Sequence, residues 1–131
     1  MFLTMSCNEA EHVSDFSEAE LHEQASRLAL PDRYDLYLRV YASSTPRNPL
    51  LASDIVALGE PARAYVLEQM TRANSMQLGA ALAVLSQYRR GCREDEERKL
   101  LNAASRLDGD VEVREAWSHA IEVACLRDRR S

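Results

Sequence analysis

The chain has 131 residues, of which 46% are hydrophobic and 28% charged, and its formal net charge is −5. This length suits one domain with a substantial core, and no segment approaches the roughly 20 apolar residues that a membrane span needs. The negative charge removes the usual electrostatic reason to expect nucleic-acid binding. Glycine and proline occur only four times each, which favours helices. We therefore predict a single all-α domain over residues 1–131.

The N-terminal residues form an apolar stretch, MFLTMS, that is followed by Cys7. This resembles the end of a bacterial lipoprotein signal, which would make Cys7 the site of a lipid anchor. The alternative is an ordinary flexible N-terminus over residues 1–13. The sequence leaves both interpretations open.

The segment 14–29 predicts an acidic amphipathic helix. Ser17 and Glu20 have the spacing of a capping box, in which each side chain bonds the backbone of the other residue. Pro31 is expected to end this helix, because proline lacks the amide hydrogen that a helix interior requires. Apolar side chains share one face of it at helical spacing: Leu21, Ala25 and Leu28.

The segment 32–43 fits two patterns. Its tyrosines and leucines alternate as in a strand, but they also recur at helical spacing. No other segment offers a strand partner, so we predict a helix with Asp32 as its N-cap. The serine- and proline-rich stretch 43–49 is a predicted turn.

The segment 50–58 predicts a short helix, with Gly59 as its C-terminal cap. Pro61 is well placed as the first residue of the next helix, which runs to about Thr71. Apolar residues of the short helix are expected on one side: Leu51, Ile55 and Leu58.

The next helix is predicted from a cap at Asn74 or Ser75 to about Arg90. It is apolar nearly all round, so we expect it in the middle of the fold. The segments 94–107 and 111–126 are the last two predicted helices, and the acids that open the first of them suit a helix N-terminus. In the last helix we expect these residues to face inward: Val113, Ala116, Trp117, Ala120 and Ala124.

The predicted helices repeat along the chain. Leu67 and Leu101 lie 34 residues apart, and apolar positions from Leu78 onward match positions from Val113 onward at a spacing of 35. A period in this range is typical of helical-repeat proteins.

Two short stretches resemble HEAT repeats. One is the Leu-Gly-Glu-Pro-Ala sequence over 58–62, and the other is Asp110 followed by Val113 and Arg114. The resemblance covers about residues 49–126 and implies a HEAT- or armadillo-like stack of about three helical hairpins, with an additional N-terminal helix. Such a stack leaves a curved surface free for binding.

No combination of residues indicates catalysis, a metal site or a cofactor. Glu18 and His22 lie four residues apart on one predicted helix, but surface pairs of this kind are common without metal. His119 and Cys125 lie six apart and project in different directions from their helix. The glycines form neither a phosphate loop nor a dinucleotide fingerprint. We therefore predict a protein that is not an enzyme.

Cys92 and Cys125 lie 33 residues apart, close to one repeat. Stacked repeats bring equivalent positions together, so these two thiols are candidates for a disulfide. The alternative is two unrelated thiols, one exposed and one buried. A disulfide would favour an oxidising compartment, which in a Gram-negative bacterium is the periplasm. Without it, a cytoplasmic protein is the alternative.

An acidic helical-repeat domain without catalytic residues resembles immunity proteins, some of which are helical partners of type VI secretion amidases. The resemblance implies an inhibitor that occludes the active site of a secreted toxin such as a peptidoglycan amidase. The alternatives are a HEAT-like nucleic-acid-binding protein and a scaffolding subunit of a larger enzyme. The sequence leaves open whether the chain also forms homo-oligomers.

The partner-binding residues are expected on exposed turns and on the outer faces of the second helix of each pair. Arg89 and Arg90 have an alternative interpretation, because basic residues after a helix C-terminus complement its dipole. The predicted binding residues are Arg72, Asn74, Arg89, Arg90, Glu115, His119 and Glu122.

Overall fold

A computed structural model describes residues 16–126, and every regular element in that range is helical. The predicted all-α class is therefore confirmed, while the likeness to HEAT repeats stays a prediction. The expectations for residues 1–13 and for Cys7 lie outside the described residues. The helices are α1 Glu18–Ser26, α2 Leu30–Ser43, α3 Ala52–Val56, α4 Glu60–Glu68, α5 Ser75–Leu85, α6 Glu94–Ser105 and α7 Val111–Cys125, and a 3-10 turn, Gln69–Arg72, extends α4.

The helices pack in two rows. One row contains α1, α3, α4 and α6, each in contact with the next, and the other contains α2, α5 and α7. We call these the first-helix row and the second-helix row. Helix α5 contacts α2, α3, α4, α6 and α7, which confirms the prediction that this apolar helix lies in the middle.

The capping box of α1 forms as predicted. The Glu20 amide donates to Ser17 Oγ at 3.1 Å, and the Ser17 amide donates to Glu20 Oε1 at 2.8 Å. The prediction that Asp32 caps α2 is wrong, because α2 begins at Leu30 and contains Asp32 in its first turn. Pro31 suits that first turn, where no amide hydrogen is needed, so the helix begins before it.

The helices in the middle of the chain are shorter than the pattern predicts. Leu58 was expected on the inner side of the short helix, but α3 ends at Val56 and Leu58 is 37% exposed. Gly59 has a φ of +81° between α3 and α4, a conformation that favours glycine. Helix α5 ends at Leu85 rather than near Arg90.

The segment that follows α5 folds back on the molecule, which is why the helix stops early. Tyr88 is buried there, and its hydroxyl donates to the Gly59 carbonyl at 2.8 Å. At the other end of α5, the predicted cap is present, since Asn74 Oδ1 accepts a hydrogen bond of 2.8 Å from the Gln77 amide.

The inward face predicted for α7 is confirmed for Trp117, Ala120 and Ala124, which lie in or against the core, and is wrong for Val113 and Ala116. Val113 is 41% exposed, Ala116 is exposed, and both Trp117 and Ala120 are half-buried, whereas Ala124 is buried as predicted. The buried residues of α7 lie in its last part: Ile121, Ala124 and Cys125.

The capping residues give a different correspondence between α5 and α7 from the predicted one. The N-caps Asn74 and Asp110 are 36 residues apart, not 35, and a shift of one residue rotates a helix by about 100°. At a spacing of 36, Leu85 corresponds to Ile121, and both are fully buried. A difference of one residue in this alignment changes which residues of α7 correspond to the buried face of α5, and the repeat itself stays a prediction.

Candidate functional site

An apolar stripe lies on the surface of α7. Its members are spaced at three and four residues, so they share one side of the helix. Val113 and Val123, at the two ends, are 41% and 56% exposed, Ala116 is exposed, and Ala120 is half-buried. An amphipathic helix normally buries such a stripe. Ala120 packs against the core, but Val113, Ala116 and Val123 leave the outer side of the stripe uncovered within the described residues.

The neighbouring helix continues this apolar surface. A Cβ atom added to Gly79 of α5 would lie 3.1 Å from Tyr41 Oη and 3.9 Å from Trp117 Cη2. The absence of a side chain therefore lets aromatic residues of α2 and α7 approach the same point of α5. We call the whole area the row surface, and its residues are Tyr41, Met76, Gly79, Ala83, Val113, Ala116, Trp117, Ala120 and Val123.

A disulfide fixes the C-terminal end of α7. Cys92 and Cys125 are bonded, with their Cα atoms 4.7 Å apart, which confirms the predicted pair. The Cys92 amide also donates to the Cys125 carbonyl at 3.1 Å. The loop after α5 and the end of α7 are thus held together by a covalent and a hydrogen bond.

A buried ion pair lies beside that loop. Arg63 of α4 is 1% exposed and Glu96 of α6 is 5% exposed. Arg63 Nη2 donates to Glu96 Oε1 at 3.2 Å and to the Gly91 carbonyl at 3.2 Å. Its guanidinium also lies over the ring of Tyr88, 5.0 Å from the centroid, a favourable placement for a cation.

Arg90 extends this pair to the surface. Its Nη1 and Nη2 donate to Glu96 Oε1 and Oε2 at 2.9 and 2.8 Å. The same guanidinium donates through Nε and Nη2 to Glu60, at 3.0 and 2.8 Å. Glu60, Arg63, Arg90 and Glu96 form what we call the charge cluster, which joins α4, α6 and the loop between α5 and α6.

The charge cluster controls the ionisation of Glu96. Burial alone would raise the pKa of this carboxyl, but hydrogen bonds from Arg90, from the Arg93 amide and from Arg63 outweigh it and lower the pKa to about 2. The pKa of Glu60 is lowered as well, chiefly by its hydrogen bonds with Arg90. Both carboxylates are therefore charged at neutral pH.

Sequence reasoning missed the pairing of Arg63 with Glu96, although the sequence contained a signal. Arg63 stands on the apolar face of α4, between Ala62 and Val66, where a charged residue needs a partner. Glu96 stands four residues before Leu100, on the buried face of α6. The interpretation of residues 94–97 as acids of a helix N-terminus holds for Glu96 as well, since Glu96 Oε1 accepts a hydrogen bond of 2.9 Å from the Arg93 amide, but it did not include the bond with Arg63.

The predicted binding residues do not form one cluster. Arg72 and Asn74 lie before α5, whereas Arg89 and Arg90 lie after it, and a helix of 11 residues separates its ends by about 16 Å. The Asn74 side chain caps α5, and the Arg90 side chain bonds Glu60 and Glu96. Arg72 and Arg89 are exposed.

Three further predicted residues, Glu115, His119 and Glu122, are all exposed on α7. Their positions along the helix place them on the flank of the apolar stripe that faces away from Trp117. They therefore border the row surface.

Within residues 16–126, the net negative charge lies in the last helical pair. Residues 94–126 contain nine acids and four Arg or Lys, a net charge of −5, whereas residues 16–93 contain eight acids and nine Arg, a net charge of +1. The row surface thus runs from a nearly neutral part of the protein onto an acidic one.

A separate cleft of about 260 Å³ lies between α2, α4 and the start of α5, with Tyr34, Tyr65 and Arg72 in its lining.

His22 contacts Asp54, with 2.6 Å between Nδ1 and Oδ2, rather than Glu18. Residues 16–126 contain no group of three or more His, Cys, Asp or Glu placed to hold a metal ion. None of the helices in that range is long and apolar enough to cross a membrane.

Comparisons with protein-family models, with curated proteins and with solved structures find no match to this chain.

Proposed function

We propose that this chain is a protein-binding inhibitor, and that the row surface is where its partner binds. The observation that carries the proposal is the uncovered apolar stripe of α7 beside the half-buried Trp117. Contiguous exposed apolar area on a small protein is a mark of interaction sites. Tryptophan and tyrosine are enriched among the residues that contribute most to protein interfaces.

The way α7 is held supports a binding role. Its C-terminal part is fixed by the Cys92–Cys125 disulfide and by buried Ile121, so the stripe lies on a helix that is already in place. A preorganised surface loses less conformational entropy on binding than a flexible one.

The partner we propose is a secreted enzyme, such as a peptidoglycan amidase, that the chain inhibits as an immunity protein by covering the active site. The disulfide supports an oxidising compartment, and the periplasm is where such a toxin would act. The resemblance to helical immunity proteins noted from the sequence supports the same proposal.

The test uses the purified secreted enzyme encoded beside this protein's gene and measures its hydrolysis of peptidoglycan. We expect inhibition near equimolar protein, and we expect Ala116→Arg, which places a long charged side chain on the stripe, to weaken it at least about tenfold. Ala64→Arg is the matched control, because Ala64 is also an exposed helical alanine but lies in the first-helix row.

Circular dichroism would verify that both variants keep the wild-type helix content. Enzyme activity that is unchanged by the wild-type protein would refute the inhibitor proposal. Inhibition that Ala116→Arg and Ala64→Arg weaken equally would refute the assignment to the row surface.

A further inference from the structure

We infer that the partner segment bound at the row surface is basic, with apolar side chains over the exposed stripe of α7 and with Lys or Arg side chains next to the α7 carboxylates. This inference rests on the proposed protein-binding function and specifies the chemistry of the partner.

Unpaired carboxylates border the apolar stripe. Glu112, Glu115 and Glu122 are exposed, and none of them has a side-chain hydrogen bond or ion pair within residues 16–126. Glu112 lies four residues before Ala116, and thus directly next to it on the helix. An interface that pairs opposite charges at its rim gains association rate and selects against partners of the wrong charge.

Several acids outside α7 are paired with arginine, although Glu18, Asp32 and Glu68 are exposed and unpaired within residues 16–126. Glu60 and Glu96 bond Arg90, and Glu23 bonds Arg27 at 2.7 Å. Within residues 16–126 no cation pairs with the three α7 carboxylates, and unlike the other unpaired acids they lie beside the apolar stripe. They are therefore available to cationic side chains of a partner.

The same charges argue against a second copy of this chain as the occupant. A symmetric dimer places the same patch of both subunits face to face. Such a dimer would bring together two helical pairs that each have a net charge of −5. A basic partner avoids this repulsion.

The apolar part of the partner is expected over the stripe itself. The position above Gly79 is closed, because a Cβ atom there would already lie 3.1 Å from Tyr41 Oη. Val113 and Val123 are instead 41% and 56% exposed, and Ala116 is exposed between them. Apolar side chains of the partner are therefore expected to contact this side of α7.

Two synthetic amphipathic peptides of about 18 residues, long enough for five helical turns, test the inference. They share one Leu and Ala face, and their polar faces contain only Lys or only Glu. Binding to the full chain is measured by fluorescence anisotropy, at low ionic strength and at about 0.5 M NaCl. At low ionic strength we expect the Lys peptide to bind at least about tenfold more tightly than the Glu peptide. At about 0.5 M NaCl this difference in affinity should be smaller.

The triple variant E112Q/E115Q/E122Q should weaken binding of the Lys peptide by about fivefold or more. The matched control is E18Q/D32N/E68Q, which removes the same number of exposed, unpaired acids outside α7 and should change the affinity by less than about twofold. Equal effects of the two triple variants, or equal affinity for both peptides, would overturn the inference.

Two results separate this inference from the proposed function. If the enzyme is inhibited through the row surface but the peptides bind equally, the partner is not selected by charge and only the inference fails. If the Lys peptide is preferred and Ala116→Arg abolishes its binding while no enzyme is inhibited, the inference stands and the proposed function fails. If the wild-type chain formed dimers that Ala116→Arg dissociates, a second copy of the chain would be the occupant of the row surface. That result would also overturn the inference.

Discussion

The two halves of α7 differ in almost every physical respect. The C-terminal half contains buried Ile121 and Ala124 and ends in the disulfide at Cys125. The N-terminal half contains Val113 and Ala116, both exposed. A single helix thus contributes buried side chains near its C-terminal end, while its apolar stripe runs along the exposed side from Val113 to Val123. Because the anchored end holds the exposed end in place, stability and recognition can be changed separately.

The charge cluster strengthens the anchored end, and its removal should have the largest effect. Glu96→Ala leaves Arg63 buried without its carboxylate partner, which should cost about 3–5 kcal/mol of unfolding free energy. Urea unfolding followed by circular dichroism measures it. Glu94→Ala is the control, because Glu94 lies in the same first turn but is exposed, and it should cost no more than about 1 kcal/mol. Similar losses in both variants would show that Glu96 acts only as a helix-capping acid.

The disulfide is the second support of the anchored end. Cys92→Ser with Cys125→Ser opens a link across a sequence separation of 33, which should lower the unfolding free energy by about 3–4 kcal/mol. Mass spectrometry under non-reducing conditions should show the wild-type chain about two daltons lighter than the reduced chain. Unchanged stability of the double variant would mean that hydrogen bonds and packing alone anchor α7.

Lowering the pH should destabilise the anchored end, because Glu96 becomes protonated. The pKa of this carboxyl is about 2 in the folded protein against 4.5 ordinarily, so its ionised form stabilises the fold above pH 4.5. That contribution is lost as the pH falls from 4.5 toward 2, where the folded protein also takes up the proton. We expect unfolding free energy to decrease over this range, and to decrease less in Glu96→Gln. Parallel pH profiles of the two proteins would contradict the assignment to Glu96.

Local features of the fold were predictable from the sequence, whereas features that join distant residues mostly were not. The capping residues Ser17 and Asn74 depend on neighbours three positions away, so pattern alone identified them. Arg63 and Glu96 lie 33 residues apart, and neither was recognised until the fold brought them together. The Cys92–Cys125 pair is the exception, because the repeat period itself predicts that these positions are adjacent.

The candidate site was predicted less completely than the fold. Glu115, His119 and Glu122 were expected to be exposed on a second helix, and they are. The apolar stripe was assigned to the core instead, because amphipathic periodicity shows which residues share a face but not what covers it. Whether Val113 is buried depends on a neighbouring element, and no pattern within α7 contains that information.

The smallest expected effect is at the exposed stripe itself, and it provides the sharpest comparison within α7. Val123→Ala removes two methyl groups from a residue that is 56% exposed and should change the unfolding free energy by no more than about 0.5 kcal/mol. Ile121→Val removes only one methyl group, but from a fully buried side chain, and should cost about 1 kcal/mol. The smaller truncation is thus expected to have the larger effect. If Val123→Ala were the more costly change in urea unfolding, the stripe would be part of the core, and the row surface could not be free for a partner.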